Sequence, residues 1–335
     1  MVKGAYYPLF DYVRGLAAVG VFISHADKYH YLPEEVGNAC VQIFFALSGF
    51  LIGGILLHSK RMDIPRFYFN RSTRIWIPYV LAIFLLFLVT LLKQGFSDPK
   101  FGEFFIYMAT FVYNCFGPPQ LAQSVHHMPL DGTGNHFWSI CVEEQFYLIA
   151  PFIIILMNRA AAIALLTGAV MFNFFVPHEF AAISLGVLLA LANRSSWIIA
   201  GSAIAAILSL IFFQYEIWMP FIAVTIIAIA AQPGESHGIV AKAIGGASFP
   251  FYLNHWVGLF AISAGLKIGL SYPISAAIGF GVAATIAVSH YLIIDRSIAI
   301  HRSRFFTTKR GYLLCATGFA LVLIGATFGL VMTKA

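Results

Sequence analysis

Charge is what this 335-residue sequence has least of. Asp, Glu, Lys and Arg make up only 10% of the chain, where a soluble domain carries about 25%. Hydrophobic residues make up 60%. A soluble fold of this size has too little interior to hide that much apolar surface, so a bilayer must supply the apolar surroundings. Long polar runs are missing too. The longest polar-leaning loop, residues 117–136, has 20 residues, too few for a soluble domain. One membrane domain across residues 1–335 is expected. Cysteine is scarce: Cys40, Cys115, Cys141 and Cys315 match no metal spacing and no disulfide framework. No metal is therefore expected, and a Cys40–Cys115 bridge on the outer side is the one conceivable pairing. There is no Walker loop, no G-x-G-x-x-G and no internal repeat. The first apolar stretch carries Asp11, Arg14 and His25 and is followed by no small-residue cleavage site, so it is expected to be kept as a helix. The net charge of +6 does not imply a nucleic-acid partner, because the basic residues fall in the short loops of a membrane chain.

Eleven stretches are apolar and long enough, or nearly so, to cross a bilayer. They are residues 12–28, 40–57, 75–92, 137–157, 160–176, 179–192, 197–213, 217–231, 248–268, 273–294 and 312–332. Residues 101–116 are also helix-like, but Glu103 interrupts them and Gly117-Pro118-Pro119 ends them. A re-entrant or peripheral helix is expected there, since irregular backbone at membrane depth must be covered by protein or line a wet cavity. Loop charges test the count. With the N-terminus inside, the inner segments hold Lys3, Lys60, Arg61, Arg66, Arg71, Arg74, Arg159, Arg194, Lys242, Arg296, Arg302, Arg304, Lys309 and Arg310. The outer segments hold Lys28, Lys93, Lys100, Lys267 and Lys334. Fourteen against five obeys the positive-inside rule. The fold class is thus an all-α integral membrane protein of about eleven transmembrane helices plus one re-entrant or peripheral helix, N-terminus in and C-terminus out. The small residues within 160–231 suit close helix packing in lipid, and that half is expected to be scaffold.

Ionisable groups inside membrane helices are costly and point to function. Arg14 and His25 lie eleven residues apart on the first helix, about 16 Å along the axis and within about 20° of one face. One stripe thus holds a permanent cation near the cytosolic end and, farther out, a group that titrates near neutral pH. Snorkelling of Arg14 and a core histidine are the plainer alternatives. Glu143 and Glu144 lie one turn into a helix that enters from outside, with Ser139 and Tyr147 on the face of Glu143. A Glu143–His25 pair would hold an imidazole tautomer as in a catalytic triad; a helix end near headgroups is the alternative. Arg71 and Arg74 are neighbours at i, i+3, suited to phosphate or to plain topological anchoring. Ser48-Gly49 in an aromatic stretch allows close helix approach or exposes backbone; no nucleophile elbow surrounds Ser48. Tyr252 and His255, at i, i+3, could line a cavity or simply pack.

Taken together, these motifs resemble acyltransferase family 3, membrane enzymes that acylate surface sugars, lipopolysaccharide, Nod factors and some macrolides. Asp11-Tyr-Val-Arg14-Gly15 with His25 resembles its first-helix motif, and Phe44-Phe45-x-x-Ser48-Gly49-Phe50-Leu51-Ile52 its second. Arg71-x-x-Arg74-Ile75-x-x-Pro78-Tyr79 resembles the third, Trp138-Ser139-x-x-x-Glu143-x-x-Phe146-Tyr147-x-x-x-Pro151 the fourth, and Tyr252-Leu253-x-His255 the fifth. The order matches over about residues 9–296, leaving an additional C-terminal helix at about 312–332. Where the family often has Glu-x-Pro, this chain has Asp295-Arg296-Ser297.

The resemblance implies an acyl-CoA co-substrate bound from the cytosol, with acetyl-CoA favoured, and a hydroxyl of an extracytoplasmic glycan or glycoconjugate as acceptor. It implies His25 as the catalytic residue, with Arg14 and the Arg71/Arg74 pair serving the donor; Glu143 is the expected aid to His25, and Ser48 a further expected donor contact. Ser139, Tyr147, Tyr252 and His255 are the expected acceptor contacts. CoA phosphates suit an arginine cluster, and a base with a near-neutral pKa suits a hydroxyl attacking a thioester. An acyl-histidine relay stays open. The expected setting is a bacterial inner membrane, with membrane lipids as neighbours. Some members carry a fused extracytoplasmic hydrolase-like domain; this sequence shows none, so a separate partner protein is the expected substitute if one is needed. The residues allow an alternative, a secondary transporter or flippase using Arg, His and Glu as a relay, although no paired broken-helix repeats support it.

Overall fold

The computed structural model describes residues 6–27, 33, 35–95, 98, 100–117, 125–192, 200–201, 203–204, 207, 215–235 and 238–333. Among them there are helices and loops and no strand. The principal helices are α1 (Pro8–Ala26), α2 (Glu35–Leu57), α3 (Ile64–Gln94), α4 (Lys100–Ala109), α5 (Tyr113–Phe116), α6 (Trp138–Pro151), α7 (Arg159–Phe172), α8 (Phe180–Leu191), α9 (Tyr215–Ala230), α10 (Ile239–Lys267), α11 (Tyr272–His290), α12 (Arg296–Phe305) and α13 (Thr308–Met332). Wider π-helical turns follow α6 at Phe152–Leu156 and α11 at Tyr291–Asp295.

Six helical stretches among the described residues are long and apolar enough to cross a membrane: Pro8–Ala26, Glu35–Leu57, Arg61–Gln94, Asn135–Leu156, Tyr272–Phe305 and Thr308–Met332. Three shorter apolar helices, Arg159–Phe172, Phe180–Leu191 and Glu216–Ala230, fall on expected crossings 160–176, 179–192 and 217–231. The crossing expected at 248–268 lies in α10, which is long but more polar. The one expected at 197–213 lies largely outside the described residues. Residues 101–116 form two short pieces. The ten residues of α4 rise about 15 Å, half the hydrocarbon thickness. The chain then breaks at Phe111, whose φ of 58° takes a non-glycine residue into the left-handed region, before the single turn of α5.

The chain packs as two units, residues 1–61 with 150–292, and residues 62–149 with 293–335. In the first unit, close approach is built on glycine. A Cβ on Gly49 of α2 would strike the Ile183 carbonyl of α8, and one on Gly186 would strike the Ala46 carbonyl. Both helices therefore meet backbone to backbone, the small-residue packing that membrane helices use without a hydrophobic drive between them. Gly53 meets Val187 one turn on, so α2 and α8 run in the same direction. So do α1 and α10: Asp11 meets Gly245 and Phe22 meets Gly258. Helices α10 and α11 form an antiparallel pair, Gly258 against Gly279 and Gly265 against Ser275.

In the second unit, α13 presents a narrow glycine seam. Gly311 meets Pro65 of α3, Gly318 meets Leu148 of α6 and Trp76 of α3, Gly325 meets Thr110, and Gly329 meets Phe116. Only glycines are fully buried on this helix, and much of the rest is exposed apolar surface suited to lipid. The N-terminus of α13 is capped by Thr307, whose hydroxyl accepts from the Arg310 amide at 3.2 Å. Pro78 lies inside α3. It lacks the N–H that would bond the Arg74 carbonyl one turn back.

Candidate active site

The first unit carries the histidine stripe. On α1, Asp11 is buried and pairs with Arg14 one turn on, Nη1 to Oδ1 at 3.8 Å. Tyr6 donates its hydroxyl to the other carboxylate oxygen. Helix α10 can approach this carboxylate only because residue 245 is glycine. A buried carboxylate needs a cation and donors to be tolerated, and Arg14 and Tyr6 supply both. Toward the other end of α1, His25 Nδ1 lies 2.9 Å from Nε2 of His255 on α10. The rings are nearly coplanar in tilt, 13° apart, with centroids 5.2 Å apart. His255 Nδ1 lies 2.7 Å from the carbonyl oxygen of Tyr252. His255 is 1% exposed, whereas His25 is exposed.

The surroundings of His255 are firm. Tyr252 packs its ring 5.7 Å from that of Phe44 on α2. Asn254 donates to the Pro250 carbonyl at 2.9 Å and lies 3.2 Å from His290 Nδ1 of α11. Tyr272, at the start of α11, donates its hydroxyl to the Ala26 carbonyl at the end of α1. Ser48 is half-buried on α2, and its neighbour Gly49 serves the close approach to α8.

The second unit carries the arginine motif. On α3 the Arg71 guanidinium lies over the Tyr147 ring of α6, 5.9 Å from its centroid. Trp76 donates its indole N–H to Glu144 Oε1 at 2.8 Å. Glu144 is 2% exposed, and its Oε2 has no hydrogen-bond partner among the described residues. Arg71 is close enough to Glu144 for their charges to attract. Glu143 is half-buried. The buried Ser139 hydroxyl is held by the His136 carbonyl at 3.2 Å. Arg74 senses the charges of two residues beyond the expected motifs, Asp295 and Arg302. Arg302 of α12 also donates to the Asn70 carbonyl at 3.4 Å. Among the described residues no group of His, Cys, Asp and Glu could hold a metal ion. Cys40 and Cys115 are both free thiols.

The model of the acyltransferase domain of family 3 matches residues 7–292. The chain belongs to acyltransferase family 3. Among relatives, a Staphylococcus aureus (strain COL) protein assigned provisionally as an O-acetyltransferase is 28% identical over 165 residues, 46% of this chain and 25% of its own. The peptidoglycan O-acetyltransferase OatA of Listeria monocytogenes serovar 1/2a is 29% identical over 166 residues, 44% of this chain and 24% of its own. The O-acetyltransferase OatA of Staphylococcus aureus (strain NCTC 8325 / PS 47) is 29% identical over 171 residues, 46% and 26%. The chain thus spans about a quarter of the length of these relatives. No solved structure matches.

Within this family member the structure brings together Arg14 with Asp11, His25 with His255, and Arg71 with Tyr147. Sequence reasoning left three features out. Trp76 was absent because a tryptophan in an apolar helix gives no polar signal. Asp295 and Arg302 were noted only as a motif departure and a loop charge. Glu144, set beside Glu143 in the sequence, is buried and takes the indole N–H of Trp76.

Proposed function

We propose that this chain is a membrane O-acyltransferase that moves an acetyl group from cytosolic acetyl-CoA to a hydroxyl of an extracytoplasmic glycan. The observation that carries this reading is the exposed imidazole of His25, held at one end of a membrane helix whose other end holds the Asp11-paired guanidinium of Arg14. Family membership and the O-acetyltransferase names of the relatives support the reaction class. A surface glycan related to peptidoglycan is the acceptor class that the Listeria relative's name suggests. The shared direction of α1 and α10, and of α2 and α8, supports the alternation of the first nine expected crossings, in which these helices are the first and ninth and the second and sixth.

In this reading the imidazole of His25 takes the proton of the acceptor hydroxyl. The hydroxyl oxygen bonds to the thioester carbonyl carbon, and the carbon–sulfur bond breaks. The imidazolium then returns the proton to the sulfur, so CoA leaves as a thiol and the glycan carries the ester. Arg71 and Arg74 are assigned to the donor's phosphates, where planar guanidinium forks make paired charge-assisted bonds. A carboxylate of the Glu143–Glu144 pair is assigned a supporting role, and Glu143→Gln and Glu144→Gln measured side by side separate the two.

The test is purified protein in lipid nanodiscs with acetyl-labelled acetyl-CoA and peptidoglycan or polysaccharide fragments. CoA release with label on the glycan is the expected result, and His25→Ala should abolish it while donor binding persists. Solute flux into vesicles without CoA consumption would overturn the reading in favour of a transporter.

A further inference from the structure

The protons of the His25–His255 pair follow from a carbonyl group. The Tyr252 carbonyl oxygen can only accept, and it lies 2.7 Å from His255 Nδ1, so that nitrogen carries a hydrogen. In a neutral imidazole the other nitrogen is then a lone-pair acceptor. That nitrogen, Nε2, faces His25 Nδ1 at 2.9 Å. His25 Nδ1 must therefore be the donor, and the lone pair of His25 is left on Nε2. Among the described residues His25 Nε2 makes no hydrogen bond, and the residue is exposed. With both rings neutral, no other arrangement satisfies both contacts.

We infer that His255 is a positioning residue: it accepts from His25 Nδ1, holds His25 in a single tautomer, and leaves Nε2 as the atom that takes the acceptor's proton. This rests on the acyl-transfer reading above and names the atom and the support it left open. It also moves His255 away from contact with the acceptor. Its ring is 1% exposed and both nitrogens are already engaged, one by a carbonyl and one by His25. The arrangement parallels a triad, with an imidazole where a carboxylate usually stands. When His25 becomes an imidazolium, the bond to His255 becomes charge-assisted and strengthens as the charge develops. The packing of Tyr252 on Phe44, and of Asn254 against His290, holds α10 where this bond can form.

Two variants and one spectrum test the inference on the full chain in nanodiscs. His255→Leu removes the acceptor, whereas His255→Gln offers an amide oxygen near the place of Nε2. Loss of a defined tautomer should lower kcat about 100-fold or more in His255→Leu, with the KM for acetyl-CoA within about twofold of wild type. His255→Gln should recover at least tenfold of that loss. With ring-15N histidine, the signals that vanish in His25→Ala should show a protonated Nδ1 and a bare Nε2. A His25 protonated on Nε2, or a His255→Leu protein that keeps kcat within twofold, would overturn the inference. Neither result would touch the acyltransferase reading, which falls instead if His25→Ala still transfers.

Discussion

Gly245→Ala should destabilise the protein, although alanine is the better helix former. Residue 245 lies inside α10, where replacing glycine by alanine in a helix ordinarily stabilises by about 0.5–1 kcal/mol. Here the new Cβ would sit on the Asp11 carboxylate. That side chain is short and buried, and Tyr6 and Arg14 tie it in place. Two relaxations are open. If Asp11 stays, the overlap costs about 1–3 kcal/mol as overpacking does. If Asp11 swings away, the Tyr6 bond to a charged acceptor is lost at about 1.5–3 kcal/mol. The protein takes the cheaper route, so after the helix gain the net loss is between about 0 and 2.5 kcal/mol. Gly281→Ala is the control, since a Cβ there meets nothing within 4 Å, and it should stabilise by about 0.5–1 kcal/mol. Thermal unfolding of both variants in one detergent reads the two signs. Acetyl transfer should fall in Gly245→Ala as Arg14 loses its anchor and should hold in Gly281→Ala. A Gly245→Ala protein at least as stable as Gly281→Ala would refute the close approach of α1 and α10 and the anchoring of Arg14 drawn from it.

Arg71→Ala and Arg74→Ala should each weaken acetyl-CoA binding by about ten- to a hundredfold, the loss of one charge-assisted contact. Lysine should restore only part of it. Arg302→Ala removes a further guanidinium beside Arg74 and should act in the same direction; unchanged calorimetric affinity in all three alanine variants returns the cluster to topological anchoring. Cysteines placed at Arg310 and Thr333, near the two ends of α13, should react with impermeant reagent from opposite sides of the membrane, position 310 from the cytosol; labelling from one side contradicts the topology. His127 Nδ1 lies 2.7 Å from Asp98 Oδ2, and this hydrogen bond, helped by the Lys100 amide, holds the Asp98 carboxyl below its usual range. A carboxyl lowered in the fold stabilises above its unfolded pKa and loses that contribution as pH falls through the folded one. Amide exchange near residues 98–100 should therefore speed up as pH drops below about 4, after correction for intrinsic exchange. Asp98→Asn should remove that step, and an unchanged step would show that another group is responsible.

Much of the helix content was legible because apolar length is a strong signal in a chain with so few charges. Glu35–Leu57 and Thr308–Met332 end where expected, at residues 57 and 332, and begin five and four residues earlier. The start of α3 was missed by eleven residues. Expected from residue 75, it begins at Ile64, because Arg66, Arg71 and Arg74 are polar on a hydropathy scale yet good helix formers. The wider turns at Phe152–Leu156 and Tyr291–Asp295 were not legible at all. Nothing in an apolar run says whether a carbonyl bonds four or five residues on.

The site was legible by residue and not by partner, for a geometric reason. Arg14 and His25 share a face because both lie on one helix, where 100° per residue fixes the relation. The partner of His25 is 230 residues away, and no local rule reaches that far. Spacing within α10 did offer one clue, since an imidazole at i+3 can reach the carbonyl of residue 252. The Glu143–Glu144 pair shows the same limit in miniature. Neighbouring residues on a helix point about 100° apart, so at most one of the two can face a given partner, and the sequence supplies no partner to choose by. The structure supplies Trp76, whose indole N–H holds the buried carboxylate of Glu144. A carboxylate that is buried with one oxygen held by an indole costs too much to be kept as packing alone. That cost gives Glu144→Gln, rather than Glu143→Gln, the larger expected effect.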